Sequence, residues 1–175
     1  MQLVSRVAVV LLAIVLLGYG DVAAQQAPSD ETLETVEWFK EVDSGTEDWF
    51  AGAAGYAVFP NIGKGAIGIG GAHGNGEVVS GGEALGKTEM HQVTIGLQLG
   101  GQSFAQVIFF KEQKDLDDFM EGNFEFDAQV SAVALTAGAS ADAAYDHGVA
   151  VFSMAKGGLM YEAAIGGQKF DFEAY

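Results

Sequence analysis

The sequence predicts a mainly-β fold: an antiparallel, glycine-rich sheet folded as a sandwich or barrel-like core, with an N-terminal helix and one short internal helix. Three observations lead there. From Gly55 onward the chain runs as short apolar segments separated by glycine-containing turns. Val93, Ile95, Leu97 and Leu99 alternate with Thr94, Gly96 and Gln98, the period of a half-buried strand. Helical spacing of apolar residues is confined to a stretch from Asp30 and a second from Glu112.

The elements follow in chain order. Met1 to Arg6 carries one positive charge, Val7 to Leu17 is an unbroken apolar run, and Gly18 to Ala24 turns small and polar. This is the three-part pattern of a secretory signal peptide, with cleavage expected after Val22-Ala23-Ala24. The run is shorter than the ~20 residues that span a bilayer. Residues 25–50 read as a polar leader and an acidic helix. Pro28 and Ser29 precede that helix, and Asp30 and Glu31 occupy its first turn, where the helix dipole favours negative charge. Leu33, Val36, Phe39 and Val42 form its apolar face, Glu31, Glu34, Glu37 and Glu41 its polar one, and Asp43-Ser44-Gly45 closes it.

Residues 51–175 form the β domain. Tyr56 to Phe59 is a strand stopped by Pro60-Asn61, and Ala66 to Ala72 mixes isoleucine with glycine. Gly74-Asn75-Gly76 signals a turn, Glu77 to Ser80 a short strand, and Gly81-Gly82 a second turn. Phe104 to Phe110 is a strand ending in a wholly apolar run. In Glu112 to Glu121, Leu116, Phe119 and Met120 fall at helical spacing, with Gly122 as the stop. Phe126 to Leu135, Val149 to Met154, Leu159 to Ala164 and Lys169 to Phe172 complete the set. Glycine weakens a strand, so its frequency here calls for close backbone approach, bending or bulges.

Composition excludes several functions. The chain of 175 residues has no cysteine, hence no disulfide, thiolate metal site, cysteine nucleophile or lipidated cysteine. A formal charge of −16 argues against nucleic acid, which requires clustered Lys and Arg. GGEALGKT at 81–88 fits the phosphate-loop pattern, but its mechanism needs a helix immediately after, and the residues that follow alternate as a strand. GKGAIG at 63–68 lacks a following helix for the same reason. His73, His91 and His147 are far apart in sequence, and Asp115, Asp117 and Asp118 lack the glycine of a calcium loop, so neither set marks a metal site. Ser103 in GQSFA and Ser140 in GASAD do not complete a nucleophile elbow. No catalytic residue, metal or cofactor is expected. Trp38, Phe39, Trp49 and Phe50 could enter a membrane interface. Residues 30–48, however, hold eight acids against Lys40, which favours packing of the helix on the β core over contact with anionic lipid.

Several runs in order carry a resemblance: GYAVFPNIGKGAIGIGGAHG at 55–74, QLGGQ at 98–102, IFF at 108–110, GNFEF at 122–126, VALTAGAS at 133–140 and GVAVFSMAKGGLMYEAAIGGQKF at 148–170. Together they resemble the SYLF domain, a lipid-binding module whose fungal members bind actin. The resemblance implies a non-enzymatic phospholipid-binding protein, with a phosphatidylinositol-type headgroup as ligand, and bacterial relatives are exported. It places Lys64, Gly65, Lys156 and Gly157 as headgroup candidates, since flanking glycines let an anion approach backbone amides. Trp38, Phe39, Trp49 and Phe50 are the membrane-contact candidates. The expected partner is a phospholipid or membrane surface, with Ca2+ as a bridge from the acidic surface to phosphate; actin is not an expected partner of an exported protein. Location in the periplasm or outside the cell is expected, without a lipoprotein anchor. The alternative is a structural or protein-interaction module of the cell envelope with no lipid ligand.

Overall fold

The computed structural model describes residues 26–122, 132–157 and 167–175, excluding the side chains of 66–69 and 94–100. The expected signal peptide, the strand at Leu159 to Ala164 and most of Phe126 to Leu135 lie outside the described residues. Among the described residues, no helix is long and apolar enough to cross a membrane.

Helix α1 spans Asp30–Val42. Ser29 caps it, its side chain accepting from the Thr32 amide at 3.3 Å, with Asp30 and Glu31 in the first turn. Thr32, Thr35, Val36 and Phe39 form the buried stripe, whereas Leu33 is 47% exposed. The stripe is therefore rotated from the expected one, and two threonines share it. A second helix, α2, covers Thr46–Gly52 immediately afterwards.

Strand β1, Gly55–Ser80, and strand β2, Glu83–Phe110, form one antiparallel hairpin. The three short strands expected before Ser80 are thus one continuous strand of 26 residues. Gly81 and Gly82 close the hairpin with φ of 60° and 84°, the left-handed pair a tight two-residue turn requires. Gly74-Asn75-Gly76 is not a turn. It lies inside β1, paired with Met90, Glu89 and Thr88. Register shifts at Phe59/Ile62, Ile67/Ile69 and Val78/Val79 mark the places where the ribbon bends.

On its other edge, β2 pairs with β4 (Val149–Gly157) through residues 103–110 and with β5 (Gln168–Ala174) through residues 86–92. A two-residue strand, β3 (Val133–Ala134), runs parallel to β4. The described strands make a five-stranded sheet with β1 at one side and β3 at the other, so it does not close into a barrel. Between β2 and β4, helix α3 (Gln113–Met120) carries a Glu112/Asp115 capping box and stops at Gly122, whose φ is 75°.

The sheet has a core on each face. Along β2, residues 104, 108 and 110 share one cluster with Phe59, Ile62, Val78, Met90 and Phe170, sealed by Leu116 and Phe119 of α3. Residues 105, 107 and 109 share the other with Phe152 and Met154, beneath Val36 and Phe39 of α1. The first cluster joins both halves of β1, because the hairpin doubles over. A Cβ on Gly76 would lie 2.3 Å from the Val58 carbonyl oxygen, and one on Gly74 2.6 Å from the Ile62 side chain. Close backbone approach is therefore the reason for these strand glycines.

Candidate functional site

The headgroup candidates lie on the two strands that flank β2. Lys64 is paired with Gln102 and Gly65 with Gly101. Lys156 falls in the bulge formed where Ser103 pairs with Gly157 but Phe104 with Ala155. The sheet thus brings residues 64–65 and 156–157 to one level, either side of residues 101–104 of β2. A Cβ on Gly65 would meet nothing within 4 Å, so the backbone there is open to an approaching group. β1 is an outer strand, so its second edge has no strand partner among the described residues.

The two lysines differ in surroundings. Alternation puts Lys64, with Gln102, on the face of Phe104, and burial pushes its ammonium below the usual lysine range. Lys156 turns to the opposite face, where its ammonium stands 5.9 Å from the centre of the Trp38 ring. Alternation from Met154, which belongs to the core beneath α1, carries Lys156 to that face. A headgroup candidate and a membrane-contact candidate are therefore joined into one cation–aromatic unit, which no sequence spacing reveals.

The other aromatic candidates pack inward. Phe39 is fully buried, so in this fold it has no surface for a membrane. Trp49 lies against Phe109, Tyr145 and Phe152 at ring distances of 5.8, 4.9 and 5.0 Å. Phe50 stacks edge-on to Phe109 and Tyr56, with the Lys40 ammonium 5.6 Å from its ring. Trp38, Trp49 and Phe50 keep partial exposure while packing on the core. Val93, 74% exposed, is a large apolar side chain on the outer face of β2.

Sequence reasoning missed a polar clamp around Glu77. Its Oε2 accepts from the Ser29 amide at 2.9 Å, the Ser29 hydroxyl at 2.8 Å and the Thr32 hydroxyl at 2.6 Å, while Tyr175 donates to Oε1 at 2.5 Å. Burial pushes the carboxyl up, but the hydrogen bonds outweigh it and hold Glu77 below the usual carboxylate range. Tyr175 is pushed up to about 12 by burial and by its bond to that carboxylate. The clamp ties the start of α1 to β1 and β5. Beside it runs a groove of about 420 Å3, lined by Ser29, Asn75, Glu77, Lys87 and Thr88 among others. Lys87 and Thr88 belong to GGEALGKT, whose glycine pair is the hairpin turn and whose remainder is strand. No helix N-terminus faces a phosphate there.

His73 and His91, far apart in sequence, are register partners in the hairpin. Their Nδ1 atoms are 3.3 Å apart. Among the described residues, no group of three or more His, Cys, Asp or Glu side chains is placed to hold a metal ion. Asp117 and Asp118 are occupied on α3 by Gln113 and Lys114 respectively.

Comparison with known proteins agrees with the resemblance. Residues 91–173 match the family model Ysc84, described as Las17-binding protein actin regulator. Over 124 residues, or 69% of this chain, the sequence is 32% identical to Beta cell expansion factor A of Aeromonas veronii. The match covers 46% of that relative, so this chain spans about half its length.

Proposed function

We propose that this chain, whose residues 91–173 belong to the SYLF (Ysc84) family, is an exported, non-enzymatic phospholipid-binding module that takes a phosphatidylinositol-type headgroup. The observation that carries this reading is the Lys156 ammonium of β4 over the Trp38 ring of α1. An interfacial indole anchors at the headgroup level, and a cation beside it meets phosphate. Lys64 supplies a second cation at the same level of the sheet but on its opposite face, beside open glycine backbone. Ca2+ bridges phosphate to the acidic surface, which otherwise repels an anionic bilayer.

Vesicle flotation tests the proposal. The protein should float with vesicles containing phosphatidylinositol phosphates, more strongly with Ca2+ than with chelator. Lys156→Glu and Lys64→Glu should each weaken binding by about tenfold, the effect of roughly 1.4 kcal/mol. No flotation with anionic or zwitterionic vesicles, with and without Ca2+, would defeat it.

A second reading, a protein-interaction module of the envelope, is favoured by one observation. The exposed side of α1 carries Glu31, Glu34, Glu37 and Glu41, and Lys40 is bound to Glu37 at 2.8 Å. That surface suits a basic protein partner. Retention on a basic ligand, lost with these glutamates neutralised and unaffected by Lys156→Glu, would favour it.

A further inference from the structure

His73 on β1 and His91 on β2 are direct cross-strand partners on the exposed face of the hairpin. Their Nδ1 atoms lie 3.3 Å apart while the ring centres are 4.8 Å apart. The rings therefore converge on the two Nδ1 atoms instead of stacking flat. Two nitrogens bound to one metal at 2.0–2.1 Å with a tetrahedral angle stand about 3.3 Å apart. The pair is already at the separation of two ligands of one ion.

The far side of His91 supports the same assignment. Its Nε2 faces Glu89 Oε2 at 3.5 Å and Asp171 Oδ2 at 3.8 Å. A carboxylate behind the distal nitrogen favours the proton on Nε2, which leaves the Nδ1 lone pair directed at His73. Carboxylates in that position also orient metal-binding histidines and raise their basicity. Glu89 and Asp171 are themselves register partners, on β2 and β5, so the sheet fixes the arrangement through three strands.

We propose that His73 and His91 form a two-histidine site for a borderline transition-metal dication such as Zn2+, Ni2+ or Cu2+, bound through both Nδ1 atoms. Imidazole donors select these ions over Mg2+ and Ca2+, which take oxygen ligands. With two protein donors, the remaining positions belong to water or to a group brought by a partner. Binding requires both Nδ1 lone pairs, so the ion takes the place of any proton held between the two rings.

The experiment is a titration of the full chain with NiCl2 or CuCl2 alone, followed by calorimetry and by the imidazole ring-proton NMR signals. One saturable equivalent per chain is expected, with signals of His73 and His91 broadened by substoichiometric Cu2+ and those of His147 unaffected. His73→Ala and His91→Ala should each abolish the saturable phase, and His147→Ala should leave it. The Glu89→Gln/Asp171→Asn pair should weaken binding by about tenfold. Should a histidine variant fold poorly, the broadening pattern of the unmodified chain decides the matter. Equal uptake by wild type and both histidine variants, no uptake by wild type, or broadening of all three histidines alike would overturn the assignment.

Discussion

Gly76 shows how one residue type sets the curvature of this sheet. Any side chain there meets the Val58 carbonyl at 2.3 Å and the Phe59 ring at 2.8 Å, and backbone cannot step aside as a flexible side chain can. Gly76→Ala should therefore cost about 3 kcal/mol or more, by the reasoning for overpacking. Gly101 is the contrast: the nearest atom to its Cβ would be the Lys64 carbonyl oxygen at 4.0 Å. Gly101→Ala should leave stability within about 0.5 kcal/mol. Urea midpoints of the two variants measure the difference, and equal midpoints would remove the doubled-over hairpin as the reason for Gly76. The sequence made the need for close approach legible, since strand glycines demand a cause. It could not say which glycines were tight. Gly74-Asn75-Gly76 has the composition of a turn, and only the opposing Val58 to Ile62 backbone explains those glycines inside a strand.

Elements with local signals were the legible ones. The start of α1 at Asp30 followed from Ser29 and two acids, and the stop of α3 from Gly122, because caps are written in adjacent residues. The unbroken length of β1 and β2 was not legible, since glycine punctuates a sequence whether or not the chain turns. Long-range adjacency was equally hidden: His73 beside His91 depends on strand register, and Lys156 over Trp38 and Glu77 beneath Ser29 on how α1 docks on the sheet. Another long-range pair joins the middle of β2 to β5. Gln106 and Gln168, both fully buried, donate to each other's carbonyl oxygen at 3.0 and 3.2 Å. Gln106 belongs to the β1–β2–β4 end, opposite Phe59 and Ser153, and Gln168 to the β5 end, opposite Gln92. Gln106→Leu deprives the Gln168 amide of its reciprocal partner and should cost about 1–3 kcal/mol. Gln106→Leu/Gln168→Leu should recover part of that loss, because removing both partners leaves no stranded amide. A double variant as unstable as the sum of the singles would mean that the pair does not act as a clasp.

For the whole molecule, the net charge of −16 acts against compactness at neutral pH. Among the described residues, the lysine–carboxylate pairs Lys40–Glu37 and Lys114–Asp118 are exposed and neighbours on one helix, so they contribute little. Added salt should therefore stabilise the fold at pH 7 by screening repulsion. Acidification brings two opposed effects. Protonation of surface carboxylates around pH 4 relieves repulsion. Glu77 and Asp43 work the other way. The Ser140 amide, 2.8 Å from Asp43 Oδ2, holds that carboxyl low against burial, as the clamp does for Glu77. A carboxyl depressed in the folded state adds stability above its unfolded value and loses it as the pH falls through its folded one. Stability should thus rise slightly from pH 7 toward pH 5 and collapse below about pH 4. At the alkaline end the sign reverses. Tyr175, raised to about 12, contributes fully below about 10 and loses its share as the pH climbs through its folded value. Glu77→Gln separates the contributions: it should lower the urea midpoint at pH 7 and flatten the acid limb. It should also bring the alkaline loss to lower pH, since Tyr175 no longer faces a carboxylate. If the variant's stability–pH curve ran parallel to the wild type at both ends, the Glu77 clamp would not be what couples this fold to pH.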